Sequence, residues 1–346
     1  MALRDWQPGQ NPPETEPSII KTYESRPQLP IRIFFPESYR YDDPVGSEGT
    51  RPPLPLPLPT LFTIHGGGFV VGDPSDNDAW NYIFSNLHNA LVIALNYAKA
   101  PRSPFPGAVS DLEALIPAVF ADPDLAPFVR QDKVGIAGFS AGGNLTLSVS
   151  EFPAIREKIT AGVVPIYPVL DFSVPPKLKS ETRRYKPTLG GVRGADKDLL
   201  LDISETFDKA YIPDGHDVRD PLLSPFFADR NILPRRIWVI GCELDMLGHE
   251  AWRTASRLAG RRVPGLGERI GQEEPGKPGM LITDGDERFA WEEKSGDGEI
   301  RWLCVPDTVH GFDMKRAASA DEATREDGYL KRDEIIRLAG EWLFGQ

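Results

Sequence analysis

Lys133-Val134-Gly135-Ile136-Ala137-Gly138-Phe139-Ser140-Ala141-Gly142-Gly143-Asn144 reads as a strand that breaks sharply and restarts as a helix. The run 133–138 is compact and apolar, as strands buried on both faces are, and 141–151 continues as a helix. At the joint stands Gly138-Phe139-Ser140-Ala141-Gly142, a G-x-S-x-G pattern. A tight strand–turn–helix elbow strains the backbone of its central residue and leaves no room for side chains at the flanking glycines. The serine hydroxyl is then exposed at the carboxyl end of a sheet, with the following N–H groups pointing toward it. Chance alone gives this pattern about 0.15 times per chain of this composition, so its placement after a strand is what carries information.

Upstream, His65-Gly66-Gly67-Gly68-Phe69 follows directly on a strand at 60–64. Chance supplies H-G-G-G only about 0.004 times per chain. Consecutive glycines let the main chain approach a substrate closely and turn its N–H groups inward. There they can stabilise the negative oxygen that forms when a carbonyl is attacked, each donor being worth about 3–4 kcal/mol in the transition state.

Working outward, short apolar runs at 18–24, 31–35, 60–64, 90–96, 133–138, 161–167, 236–240 and 300–305 predict eight strands. Helices are expected at 109–120, 141–151, 249–258 and 324–342, and one ending near residue 88. This alternation is the pattern of a mostly parallel sheet covered by helices. Residues 42–59 form a proline-rich loop, read as a stiff connector rather than a ligand for an SH3-like domain. Residues 172–220 and 260–298 interrupt the alternation with glycine, proline and charge; the first holds one helical piece at 199–211, and the second ends in a hairpin at 295–298. They read as a cap and an extra insertion within a single domain spanning 1–346.

A serine nucleophile needs a base, and the base needs an orienting carboxylate. Of five histidines, His65 belongs to the glycine loop, His88 to a helix, His216 to the cap and His249 to a helix start. His310 lies just past the last strand, where its ring can reach the sheet's carboxyl edge. Asp245 follows the strand 236–240 at the same edge. Glu243 and Asp307 are rival carboxylates, the first pointing away from the site and the second too near His310 in the chain. The order Ser140, Asp245, His310 is the one an α/β-hydrolase fold requires.

The sequence here resembles the hormone-sensitive lipase family of α/β hydrolases, the esterase group with an HGGG loop. Asn96-Tyr97-Ala98-Lys99-Ala100-Pro101, then Pro104-Phe105-Pro106-Gly107-Ala108-Val109 and Asp111, resemble that family's YRLAPE…FPAA…D stretch. Gly142-Gly143-Asn144 continues the elbow as the family does, and Asp220-Pro221-Leu222-Leu223-Ser224-Pro225 matches its DP..SP motif. The resemblance implies Ser140 as nucleophile, His310 as base, Asp245 as orienting acid, and an oxyanion hole from the N–H groups of Gly67, Gly68 and Ala141. It implies a central sheet of about eight strands with a small cap, small to medium acyl esters as substrates, and neither metal nor cofactor. Phe139, Tyr185, Phe207 and Tyr211 are candidate pocket walls. The departures are Phe139, where relatives carry a polar residue, and Ala98-Lys99, where they carry Arg-Leu. The stretch before the first strand is also short, and the 65 residues from Asp245 to His310 are about twice the family's habit.

Composition excludes several classes. The 346 residues carry 39 basic and 51 acidic side chains, a net charge of −12, which disfavours nucleic acid and anionic membrane as partners. Two cysteines suit a reducing compartment and make neither a disulfide framework nor a cysteine-based zinc site. Residues 1–10 lack a basic stretch followed by an apolar segment, so a cytoplasmic protein is expected. The Asn144-Leu145-Thr146 sequon and the near-dinucleotide motif at 265–271 read as helix and loop composition. Aryl formamidase, a lyase or cyclase built on the same fold, and a non-catalytic small-molecule receptor are the rival functions.

Overall fold

The computed structural model describes residues 15–39, 56–296, 298–314 and 321–345. The segment 1–10, most of the loop at 42–59, and Asp297 in the expected hairpin lie outside the described residues. The strands are β1 (Ile19–Tyr23), β2 (Arg26–Phe34), β3 (Leu58–Ile64), β4 (Leu91–Leu95), β5 (Val129–Phe139), β6 (Gly162–Ile166), β7 (Arg236–Cys242), β8 (Ala290–Ser295) and β9 (Gly298–Val305). They form one sheet in the order β1-β2-β4-β3-β5-β6-β7-β9-β8. The six strands from β4 to β9 across its centre are parallel, while β1, β2 and β8 pair antiparallel at the margins.

The count is therefore nine among the described residues, against an expected eight. The extra strand is β8, whose sequence Ala-Trp-Glu-Glu-Lys-Ser is half-buried to exposed throughout. An antiparallel edge strand wet on one side has no continuous apolar run, so it reads as loop. Its register, with Ser295 opposite Gly298, realises the hairpin anticipated at 295–298.

The helices are α1 (Asp78–Leu87), α2 (Gly107–Ala121), α3 (Ala141–Ser150), α4 (Pro153–Arg156), α5 (Pro176–Thr182), α6 (Leu201–Tyr211), α7 (Gly248–Leu258) and α8 (Glu322–Phe344). Strand alternation divides the core in two. Leu91, Ile93 and Leu95 of β4 pack with Leu112, Leu115 and Ile116 of α2, Leu145 and Val149 of α3, and Ala251 and Ala255 of α7. Val92 and Ala94 of the same strand pack on the other face with Trp80 and Phe84 of α1 and Ile335, Trp342 and Phe344 of α8. Both faces being covered, every residue of β3 and β4 is buried. This is the α/β-hydrolase fold. Its consequence for function is that the loops after β3, β5, β7 and β9 all emerge at one edge, the carboxyl ends of parallel strands.

Candidate active site

Four of those loops supply the site. After β5 the chain turns at Ser140 with φ 56° and ψ −117°, a conformation that costs a non-glycine residue energy, and α3 begins at once. The elbow tolerates no bulk: a Cβ on Gly142 would lie 2.1 Å from the Ile64 carbonyl oxygen. Ser140 N–H donates to Ile166 O (2.9 Å), pinning the turn to β6.

Ser140 Oγ lies 2.9 Å from Nε2 of His310, and Nδ1 of the same ring lies 2.7 Å from Asp245 Oδ2. The carboxylate fixes the tautomer: Nδ1–H donates to Asp245, leaving Nε2 to accept from the serine hydroxyl. Asp245 is fully buried, and its other oxygen accepts from Leu247 N–H (2.9 Å). Burial by itself lowers the pKa of His310, but the Asp245 charge and hydrogen bond outweigh it, with help from Asp198 and Asp313, and hold the pKa above 6.5. A hydroxyl bonded to an imidazole that a buried carboxylate orients can lose its proton as it attacks an electrophilic carbon.

The glycine loop lies beside this serine, for a Cβ built on Gly66 would sit 3.2 Å from Ser140 Cβ. Gly67 and Gly68 both have positive φ, 109° and 58°. Among the described residues neither of their N–H groups has an acceptor, and Ala141 N–H, at the first position of α3, has none within its helix. His65 supports the loop from below. Its ring stacks on Tyr97 at 4.4 Å, Nδ1–H donates to Gly66 O (2.7 Å), and Nε2 accepts from Lys99 Nζ (3.1 Å). Burial, then the Lys99 charge, pushes His65 down to about 3, so the ring is neutral. Lys99, one of the departures from the family pattern, thus supplies a half-buried donor where a leucine would supply none. Ala98, the other, leaves its N–H to Asp111, which Arg26 of β2 holds from the far side at 2.6 Å.

Above Ser140 opens a cavity of about 430 Å³, walled mainly by apolar side chains from the core loops and the segment 172–220. Phe139 and Phe207 line it, the latter resting on Gly68, whose added Cβ would meet the ring at 2.1 Å. Phe139 is 1% exposed and packs edge-on against Trp80. The other two aromatic candidates stand elsewhere. Tyr185 is 52% exposed and outside the cavity, and Tyr211 is buried behind its wall, stacked on Phe69 at 3.8 Å. Aromatic identity told nothing of depth: Phe207 and Tyr211 share one face of α6, but Tyr211, a turn farther on, lies among core side chains.

Glu243 and Asp307, the rival carboxylates, both bond to Lys186 and not to His310. Three polar residues at the site escaped sequence reading. Asp198 Oδ2 accepts from Met246 N–H (2.9 Å), and burial, then the Asp245 charge, pushes Asp198 up to about 6. Lys186 is taken up below. Tyr167, just past β6, sets its ring edge-on to His310 at 4.8 Å and donates to Asp313 (2.7 Å); its place after a strand at the same edge was the signal available. His88, His216 and His249 bond to Ile336 O, Asp220 and Gly265 O, away from Ser140. Asn144, the sequon residue, is buried and donates to Val169 O and Leu223 O. The described residues contain no cluster of side chains suited to a metal ion, and no helix long and apolar enough to cross a membrane.

Comparison with known proteins finds a family described as alpha/beta hydrolase fold whose sequence profile matches residues 61–269, more than half of the chain. Among curated relatives, an arylesterase of Saccharolobus solfataricus is 32% identical over 215 residues, 61% of this chain and 65% of its own length. The carboxylic ester hydrolase LipN of Mycobacterium tuberculosis is 28% identical over 59% of this chain and 54% of its own. The matches thus span less than two thirds of either relative. Among solved structures, an esterase of Pyrobaculum calidifontis superposes with a TM-score of 0.63 at 22% identity, covering 94% of this chain and 84% of that one. An arylesterase structure gives 0.63 at 23%, covering 99% and 89%. Likeness at such identities speaks for the fold alone.

Proposed function

This chain belongs to the alpha/beta-hydrolase fold family, and from that premise we propose that it is a serine carboxylic ester hydrolase working through an acyl-enzyme. The observation that carries the proposal is the continuous hydrogen-bond line from Ser140 Oγ through His310 to Asp245, set beside a glycine loop with open N–H groups. The names of the relatives, an arylesterase and a carboxylic ester hydrolase, support the same reaction class.

In this reading Ser140 Oγ attacks the ester carbonyl as its proton passes to His310 Nε2. Asp245 holds the ring and stabilises the imidazolium that forms. The carbonyl oxygen, now negative, takes hydrogen bonds from Gly67, Gly68 and Ala141 N–H, donors already fixed before the reaction begins. His310 returns the proton to the leaving alcohol, and a serine ester remains. Water then follows the same route, with His310 as its base, and releases the acid. The apolar cavity, with Phe139 and Phe207 in its wall, suits small to medium acyl or aryl esters as the small-molecule partner. Within this reading 172–220 is a cap and 260–298 an insertion of one catalytic domain. The charge of −12 supports a protein that avoids nucleic acid and anionic membrane, and the buried free thiols Cys242 and Cys304 support a cytoplasmic setting.

The test is a chain-length series of p-nitrophenyl esters on the wild type and Ser140→Ala. Saturable hydrolysis that disappears in the variant is expected. Equal turnover by both proteins would remove Ser140 from the reaction, and turnover of N-formylkynurenine in place of every ester would shift the assignment to an aryl formamidase.

A further inference from the structure

Ser140, Asp245 and His310 each belong to a different loop, so something must hold the loops of acid and base in register. On the reading of the triad given above, we propose that Lys186 is a positioning residue that locks the Asp245 loop to the His310 loop, with residues 272–276 of the insertion as the outer half of the clasp.

Lys186 comes from the segment 172–220 and its side chain is completely buried. An ammonium has three protons to place. Here they meet Glu243 Oε2 at 2.8 Å, Asp307 Oδ1 at 2.7 Å and the carbonyl of Glu274 at 3.2 Å. Glu243 stands two residues before Asp245, and Asp307 three before His310. The carboxylates are saturated in turn. Glu243 Oε2 also accepts from Asp307 N–H (2.8 Å) and Oε1 from Gln272 N–H (2.7 Å), while Asp307 Oδ2 accepts from Gly276 N–H (2.6 Å). Leu244 N–H to Thr308 O (2.9 Å) continues the ladder toward the active side chains. Two backbone positions bend to make the cluster. Asp307 adopts φ 55°, and Gly271 adopts 68° where a Cβ would lie 2.0 Å from Glu243 Oε1. The insertion therefore places two N–H groups and a carbonyl around Lys186 and its two carboxylates.

The physics of removal is specific. Without the ammonium, two carboxylates that both touch its position face one another in a dry site with only backbone dipoles to offset them. Like charges so placed either take up a proton or move apart. Moving apart separates the acid loop from the base loop, and a misplacement near 1 Å at reacting groups costs about 10²-fold in rate.

The experiment compares full-length wild type, Lys186→Met and Arg236→Met, the last a control whose guanidinium ties Ala161 O, Trp342 O and Glu299 at the amino ends of the strands. Steady-state kinetics on one p-nitrophenyl ester are read with thermal melts and with the downfield proton resonance of His310 Nδ1–H. Lys186→Met should lower kcat about 10²-fold with KM little changed, and should broaden or lose the resonance below the melting range. Arg236→Met should lower the melting temperature while leaving kcat and the resonance near wild type. Glu243→Gln, which keeps volume and leaves one carboxylate for one ammonium, provides a gentler break if Lys186→Met does not fold, with kcat down about tenfold. A folded Lys186→Met or Glu243→Gln with wild-type kcat and resonance overturns the proposal, as does an equal loss in Arg236→Met. Should wild type hydrolyse no ester, the esterase reading fails by itself, and the resonance still decides the clasp.

Discussion

Replacing Gly67 by alanine isolates the glycine loop from the rest of the machinery. The residue has φ 109°, and a Cβ there would sit 2.0 Å from the carbonyl oxygen of Val71. Side-chain rotation cannot relieve that contact, because the obstacle is backbone and itself accepts nothing that could be given up. Real Cβ atoms keep at least about 3 Å from such an oxygen, so the loop must give by roughly 1 Å. Donors aimed at a developing oxyanion lose their effect over that distance, and loss of one costs about 10²–10³ in kcat. Holding alanine at positive φ adds about 1–3 kcal/mol of destabilisation. Kinetics on a p-nitrophenyl ester, paired with a denaturant melt, separate the two effects. Gly190→Ala is the matched control, since Gly190 has φ 63° but nothing within 4 Å of an added Cβ. Both variants should lose stability and only Gly67→Ala should lose kcat. A folded Gly67→Ala turning over within a few-fold of wild type would refute the assignment of these amides to the reaction.

Catalysis needs neutral His310, whose pKa lies above 6.5, so kcat/KM should fall as pH drops through a limb above that value. Asp245→Asn should lower kcat about 10⁴-fold and, with burial then opposed only by the Asp198 and Asp313 charges, move the residual limb to lower pH; an unmoved limb would count against the pair. Asp198→Asn keeps an oxygen for Met246 N–H but removes a charge, so the same limb should shift down, and the melting temperature should fall because the buried Arg183 guanidinium, 3.8 Å away, loses its counter-charge. Phe207→Ala enlarges the cavity against Gly68 and should raise kcat/KM for long over short acyl chains by about tenfold, read from the ester series. Lys99→Met leaves His65 Nε2 buried without its donor and should cost about 1–3 kcal/mol in a urea melt; an unchanged midpoint would mean the bond contributes nothing.

What the sequence revealed and what it hid divide along a physical line. Glycines at 67, 138 and 142 announce themselves because an added Cβ would meet main chain at 2.0–2.2 Å, and both glycine motifs are joined to an apolar run. Asp245 and His310 could be chosen because the ends of parallel strands bring distant loops to one edge. Lys186 and Asp198 gave no such sign. Each is a single charged residue in a proline- and glycine-rich stretch, and the partners that tie it to the acid and base loops lie 48 to 121 positions away. Nothing local distinguishes a buried ammonium from a solvated one. Tyr185 and Tyr211 stand outside the cavity for a related reason: position along α6 and the course of the loop before it, not residue type, decide which ring reaches the cavity.

Among the described residues the edge strand β8 pairs with β9 alone, and an edge of this kind invites another chain to add on. Glu292, Glu293 and Lys294 occupy three consecutive places there, and Lys294 along the strand and Arg301 across the hairpin are drawn to Glu292. An incoming backbone would have to strip water from these charges before making a hydrogen bond. The same strand that disguised itself as loop to a reader of the sequence therefore protects the folded molecule from stacking sheet upon sheet into fibres.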